Sequence, residues 1–292
     1  MSRVAVIGPG RVGTLLALAL RRAGHRLVAV GGGSDPSRRR LVEAVAGARD
    51  EASPAEAAVQ AELVVLCVPD DALERVASDL AVADAVGPGQ RVVHVAGSKG
   101  LAPLRRVALT GAGVAACHPA MTIPAGSRDP EVLVGTAWAV TAAPADREWA
   151  HDLVGDLGGD AHEVPDTARV LYHAGLVVGA NAVGAVVSVA RRLLLAARID
   201  DPGAFLAPLI EASATNVLAD GAAALTGPVV RGDVGTLQAH LAELERDLPE
   251  LAEVYRSLAS VVLSQVRPGL EPDAAERLQA LLGRDAGPGR DA

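Results

Sequence analysis

Val4-Ala5-Val6-Ile7-Gly8-Pro9-Gly10-Arg11-Val12-Gly13 runs four β-favouring apolar residues straight into G-x-G-x-x-G and on into an apolar helical pattern. The order is strand, phosphate turn, helix. In such a unit Gly8 makes the tight turn, Gly10 lets the backbone approach a pyrophosphate, and Gly13 lets the helix pack closely on the strand. The helix then aims its free N–H groups and the positive end of its dipole at that pyrophosphate. A dinucleotide is the expected ligand, with Gly8, Pro9, Gly10, Arg11, Val12 and Gly13 as the turn that holds it.

Moving outward, a second strand over Arg26 to Val30 delivers Gly31-Gly32-Gly33-Ser34. An NAD-binding unit usually places Asp or Glu here for the ribose 2′-hydroxyl. Glycine stands there instead, followed by Ser34, Ser37 and the run Arg38-Arg39-Arg40. Hydroxyls and guanidinium groups suit a 2′-phosphate, so NADP (NADPH) is favoured over NAD. Ser34 and Arg38 are the expected holders, since one face of a new helix cannot present all three arginines to one ligand. The competing reading is a solvated basic helix start, and Asp35 weighs against a phosphate pocket.

Leu63 to Val68 is a continuous apolar run closed by Pro69-Asp70-Asp71, the pattern of a buried parallel strand ending at a ligand-side loop. Val68 and Pro69 therefore join the expected cofactor contacts. A strand over Arg91 to Val95 breaks at Ala96-Gly97-Ser98-Lys99-Gly100. Ser98 reads either as a cofactor contact or as an ordinary polar loop residue, and Lys99 is a weaker substrate candidate. A short strand, Val114 to Cys117, delivers His118-Pro119; the proline biases His118 to an extended conformation. His118 is either an orienting donor or general acid, or a satisfied structural histidine. His94, inside an apolar strand, reads as structural. Strands over Thr136 to Thr141 and Ala161 to Val164, with a helix between them, complete a mostly parallel, doubly wound α/β sheet. Residues 1–165 thus read as a Rossmann NADP-binding domain, closed by Pro165-Asp166.

Beyond that point only helical patterns remain. Thr167 to about Ala197 reads as one long helix, capped by Asp166 and buried on all sides, with Gly175, Gly179 and Gly184 thinning its surface. Residues 166–284 are the expected all-helical substrate and dimerisation domain, and 285–292 a flexible tail. The stretch Ala174 to Ala190 competes for a membrane reading, but it is short for a span and has Asn181 at its centre. The 27 Lys+Arg against 35 Asp+Glu, a formal charge of −8, argue against a nucleic-acid surface. Only 2% of residues are aromatic, so the core must be built from Ala, Val and Leu. Cys67 and Cys117 lie in apolar runs, have no metal-ligand spacing, and read as buried inert thiols. With no secretory signal in view, the expected location is cytoplasmic.

Taken together, the Gly8/Gly10/Gly13 turn, Val68-Pro69-Asp70, His118-Pro119 and a long apolar helix carrying Asn181 resemble the phosphogluconate-dehydrogenase-like superfamily. That group includes β-hydroxyacid dehydrogenases, ketopantoate reductases and pyrroline-carboxylate reductases. Tyr172-His173-Ala174, Asn181, Thr226-Gly227-Pro228 through Arg231-Gly232-Asp233, and His240 more closely resemble a family of Rossmann-like oxidoreductases whose helical C-terminal domain has no known function. The resemblance implies an NADPH-dependent reductase of a small carbonyl acid, ketopantoate-like 2-keto acids leading, with the substrate held between the domains. An imine such as a pyrroline carboxylate comes next.

One departure bears on the chemistry. Ketopantoate reductases and β-hydroxyacid dehydrogenases carry a catalytic Lys four residues before such an Asn, and here that position is Val177. The remaining candidates for the donor that hydride transfer requires are His173, His118 and Lys99, in that order, beside Asn181. On an ideal α-helix His173 and Asn181 are about 12 Å and about 80° apart, able to line one pocket without touching one small oxygen. Arg231 is either a carboxylate clamp or the partner of a neighbouring acid, His240 is a secondary pocket candidate, and Asp233 reads as a helix N-cap. The missing Lys also supports a non-catalytic NADP-binding sensor or scaffold. A homodimer through the helical domain is expected, because helices this apolar would otherwise expose a patch.

Overall fold

The structure is a computed structural model that describes residues 1–45, 47–123 and 128–283. The tail expected over 285–292 lies outside the described residues. Eight strands, β1 (Arg3–Ile7), β2 (Arg26–Gly31), β3 (Arg49–Glu51), β4 (Leu63–Leu66), β5 (Arg91–His94), β6 (Gly113–Pro119), β7 (Ala137–Ala142) and β8 (Asp160–Glu163), form one sheet. Their order is β3-β2-β1-β4-β5-β6-β7-β8. All neighbours pair in parallel except β6 with β7, so β7 and β8 run against the rest. This is the expected doubly wound fold with a reversed edge.

The apolar runs are continuous because the central strands are covered on both faces. Val4 and Val6 enter one core with Leu15, Leu16 and Leu20 of the helix Arg11–Arg22. Ala5 and Ile7, pointing the other way, enter a second core with Leu73, Val76 and Leu80 of the helix Leu73–Val82. Each such side chain contributes about 1.5–3 kcal/mol when fully buried. Both tryptophans, Trp138 and Trp149, are buried in the first of these cores.

The polar strand β3 has no apolar alternation and was not expected; it pairs with β2 alone, at the sheet's edge. The long helix also differs from its expected form. It opens as a 3-10 turn over Asp166–Ala168, continues as α-helix over Arg169–Leu176, widens into a π-helix over Val177–Ala182, and resumes as α-helix over Val183–Ala196. Asp166 does not cap it, because its Oδ1 accepts the backbone N–H of Leu101 at 2.7 Å. Nor is the helix buried. Over Asp166–Ala196 the mean hydropathy reaches 1.7, and its most apolar window contains no buried residue.

The chain divides into two compact units at Ala182/Val183 rather than after Pro165. Arg169 explains the shift, since its side chain bonds into β6 and β7 and ties the start of the long helix to the sheet. The second unit contains the helices Pro202–Asp220, Val234–Asp247, Pro249–Val266 and Pro272–Leu282. Leu237, Leu241, Leu263 and Leu278 form its core. Asp233 caps Val234–Asp247 as expected, accepting the Thr236 N–H at 3.0 Å.

Candidate functional site

The glycine turn has the clearances a phosphate turn needs. Gly8 has φ +90°, and a Cβ there would stand 2.6 Å from the Cys67 carbonyl oxygen and 3.1 Å from Val68 Cγ1. A Cβ on Gly13 would collide with the Gly8 carbonyl, whereas one on Gly10 would meet nothing within 4 Å. The first and third glycines are thus filled against by the protein, and the middle one faces open space. Pro9 is buried behind the turn, Val12 is partly buried against the sheet, and Pro69 is exposed just beyond Val68.

Beside this turn lies a cavity of about 320 Å³ lined by Gly10, Arg11, Thr14, Ser37, Arg40 and Arg128, among others. None of Arg11, Arg40 and Arg128 has a carboxylate within 4.0 Å among the described residues. Arg38, the residue favoured from sequence, is used otherwise. Its Nε donates to Asp50 of β3 at 2.6 Å, its Nη2 to Asp35, and its Nη1 to the Gly33 carbonyl at 3.1 Å. The hydrogen bond to Asp50, then that to Asp35, holds its guanidinium charged. Arg40 is the arginine of that run that faces the cavity, its Nη2 donating to Ser37 Oγ at 3.1 Å. Ser34 is exposed and bonds Ser37 Oγ at 3.0 Å.

A second cavity, of about 370 Å³, belongs wholly to the first unit and gathers His118, Met121, Thr122, His173, Val177 and Asn181 along its wall. The wider π turn lowers the rotation per residue, and π segments are frequent at functional positions. His173 and Asn181, eight positions apart, both line this one space. The Asn181 amide has no hydrogen bond among the described residues and is exposed. His118 Nδ1 lies 2.9 Å from the Tyr172 hydroxyl, and its ring meets that of His173 edge-on at 6.0 Å. Burial first, then the charges of Arg169 and His173, push His118 from the ordinary 6.5 down to about 4. It is therefore neutral at pH 7.

Gly97, at the carboxyl end of β5, is the floor beneath both rings. A Cβ there would stand 3.0 Å from His118 Nε2 and would collide with His173 Cδ2. Ser98 next to it donates to Asp70 Oδ2 at 3.2 Å, while Lys99 is exposed and does not line the cavity. His94 is structural, as read: its Nε2 donates to the Gly100 carbonyl at 2.8 Å and its Nδ1 accepts the Ala96 N–H. Burial pushes both Cys67 and Cys117 up to about 12, which leaves them as thiols.

Family models match the chain in two stretches: a Rossmann-like domain over residues 1–119, and a domain of unknown function, DUF2520, over residues 136–262. Between them the two matches cover most of the chain. No curated protein matches it. Among solved structures it is similar to a protein of Bacteroides fragilis provisionally named an NADP oxidoreductase, with TM-score 0.74 and 23% identity over 89% of this chain and 97% of that one. It is also similar to a Streptomyces aurantiacus imine reductase, with TM-score 0.61 and 21% identity over 96% and 99% of the two chains. A third likeness is to the Plasmodium falciparum pyrroline carboxylate reductase with NADP bound, with TM-score 0.58 and 14% identity over 96% and 98%. At these identities the likeness is one of fold.

The DUF2520 stretch supplies Tyr172, His173 and Asn181, and the Rossmann-like stretch supplies Gly97 and His118. Arg231 and His240 also fall in DUF2520 but belong to the second unit. Arg231 is exposed there, and His240 Nδ1 pairs with the Tyr255 hydroxyl at 2.7 Å. Sequence reasoning missed Arg169, which is 1% exposed. It also passed over Gly97 as a packing position and Arg128 as a cavity residue.

Proposed function

We propose that the chain is an NADPH-dependent reductase of a C=N or C=O group carried on a largely uncharged substrate. The observation that carries this reading is the second cavity. Among the described residues its wall offers hydrogen-bonding groups in His118, His173 and Asn181 and includes no Lys, Arg, Asp or Glu. A ketopantoate-like acid, the first expectation from the resemblance, would find no cationic clamp on this wall. An imine or a neutral carbonyl fits it better, and an imine reductase is among the proteins of like fold.

The turn Gly8–Gly13 would hold the cofactor's pyrophosphate, and Arg11, Ser37 and Arg40 its 2′-phosphate, in place of the Arg38 first favoured. When bound, the reduced nicotinamide supplies the hydride. The chain's own task is to hydrogen-bond the nitrogen or oxygen on which negative charge develops, a role for His118 and Asn181. Anaerobic mixing of the protein with NADPH and a panel of cyclic imines, ketones and 2-keto acids, followed by nicotinamide absorbance, tests this. Oxidation with imines or ketones in preference to keto acids is the expected result. Tight NADPH binding with no oxidation across the panel would instead favour a sensor or scaffold, the reading to which Val177 in place of Lys points.

A second copy of this chain is the proposed cover for the exposed apolar face. Val183, Val186 and Leu195 of the long helix are 46%, 39% and 53% exposed, and Phe205 and Leu209 of the next helix 56% and 66%. Arg192 is paired with Glu250 of the same unit at 2.6 Å, which suits a helix held in a protein assembly better than one crossing a bilayer. Sedimentation at micromolar concentration should give a dimer. A monomer that floats with lipid vesicles would overturn this.

A further inference from the structure

Arg169 is a buried cation with no carboxylate within 4.0 Å among the described residues. Its Nε donates to Thr141 Oγ1 at 2.8 Å, and its Nη2 to the carbonyls of Ala116 and Ala139 at 2.6 and 3.0 Å. Its Nη1 is buried with no partner. Burying a charge among neutral groups costs several kcal/mol unless something offsets it. The guanidinium carbon lies 5.9 Å from the centre of the Tyr172 ring, whose hydroxyl bonds His118 Nδ1.

The proton positions follow from who can accept. The Tyr172 O–H has one acceptor among the described residues, His118 Nδ1. With the hydroxyl as donor to Nδ1, the neutral imidazole carries its own proton on Nε2, the atom beside Gly97 at the cavity. A neutral imidazole is a weak acid by itself. It becomes a competent donor when its other nitrogen gains a proton as Nε2 loses one.

We propose that Tyr172 and His118 form a two-proton relay into the cavity, with Arg169 as the fixed charge that stabilises the tyrosinate left behind. This rests on the reductase reading. As the substrate carbon is reduced, its nitrogen or oxygen takes the Nε2 proton of His118, and Nδ1 takes the phenolic proton of Tyr172. The histidine stays neutral throughout in the opposite tautomer. Water then reprotonates the system, restoring the tyrosine O–H and the Nε2–H. Tyr172 and Arg169 are positioning residues; His118 is the one group of the three that would touch substrate.

The first measurement needs no turnover. Long-range nitrogen–proton NMR of the full-length protein should show His118 as the Nε2–H tautomer at pH 7. The Nδ1–H tautomer would overturn the relay even in an active enzyme. Because the chain has only two tyrosines, Tyr255→Phe leaves Tyr172 as the sole phenol for an absorbance titration. In that background Arg169→Met should raise the Tyr172 pKa by about one unit or more, and Arg169→Lys should largely restore it. An unchanged titration in Arg169→Met would remove Arg169 from the relay. Tyr172→Phe should lower kcat about 10- to 100-fold with KM little changed, a general-acid-sized effect. Unchanged kcat in Tyr172→Phe, with the Nε2–H tautomer present, would overturn the relay while leaving the reductase reading intact. Absence of any turnover in the unmodified protein would overturn the reductase reading itself.

Discussion

The chain has two tyrosines, and each bonds the Nδ1 of a histidine in nearly the same geometry. His118 and Tyr172 are 2.9 Å apart with rings edge-on at 5.8 Å; His240 and Tyr255 are 2.7 Å apart with rings edge-on at 5.7 Å. Their surroundings differ. The first pair joins β6 to the long helix, its histidine lines a cavity, and its tyrosine sits by a buried cation with no carboxylate within 4.0 Å among the described residues. The second joins two neighbouring helices of the second unit, with His240 exposed. The same bond thus fastens two helices in one place and holds a poised proton in the other. What separates them is the electrostatic setting, not the hydrogen bond.

His118→Gln should most sharply divide the pairs, lowering turnover with the best substrate of the panel by about 10²–10⁴-fold while NADPH binding persists. Next in size, Gly97→Ala pushes a methyl into both cavity histidines, and a displacement of that order should cost about 10²-fold in kcat. Stopped-flow rates paired with a melting curve would show whether the loss is local. If Gly97→Ala retains normal turnover, the two rings are not held as described. An analogous contrast exists at the nucleotide side, between Arg38 tied to two acids and Arg40, which has no carboxylate within 4.0 Å among the described residues. Arg40→Ala should weaken NADPH about tenfold, near 1.4 kcal/mol, and NADH by less than about twofold. Arg38→Ala should lower Tm. Equal losses for both nucleotides in Arg40→Ala would remove it from the 2′-phosphate.

Burial also gives the first unit a pH signature. His94 and His118 are both held down to about 4, from the ordinary 6.5 that the unfolded chain regains. Between those values the unfolded state binds more protons, so stability rises with pH through the window and falls as acid is added. Denaturant midpoints measured from pH 7 to 5 should fall, with up to about two protons taken up on unfolding and about one in His118→Gln. The smallest effect belongs to the second pair: Tyr255→Phe should cost roughly 1 kcal/mol or less in stability and leave turnover within about twofold.

Most of the fold was legible, because strands covered on both faces must be apolar throughout and the glycine turn leaves its own spacing. The exception bears on the nucleotide side. β3 is Arg49-Asp50-Glu51, an edge strand with no apolar signal, and it is Asp50 on that strand that takes Arg38 away from the expected phosphate. Arg169 was hidden for the opposite reason, since an arginine at a helix start reads as solvated until β6 and β7 are known to close over it. Gly97 looked like any loop glycine, because the rings it must clear come from residues 21 and 76 positions further along. The π turn carrying Asn181 left no mark, since its residues, Val177 to Ala182, suit an α-helix as well.

The two buried tryptophans have a practical bearing on how this molecule is observed. Trp138 and Trp149 both lie in the core of the first unit, and the second unit has none. Indole emission therefore watches the sheet alone, while far-ultraviolet dichroism weighs the helices of both units. If the units melt separately, the two signals will part company on heating, and adding NADPH should move the fluorescence transition more than the dichroic one.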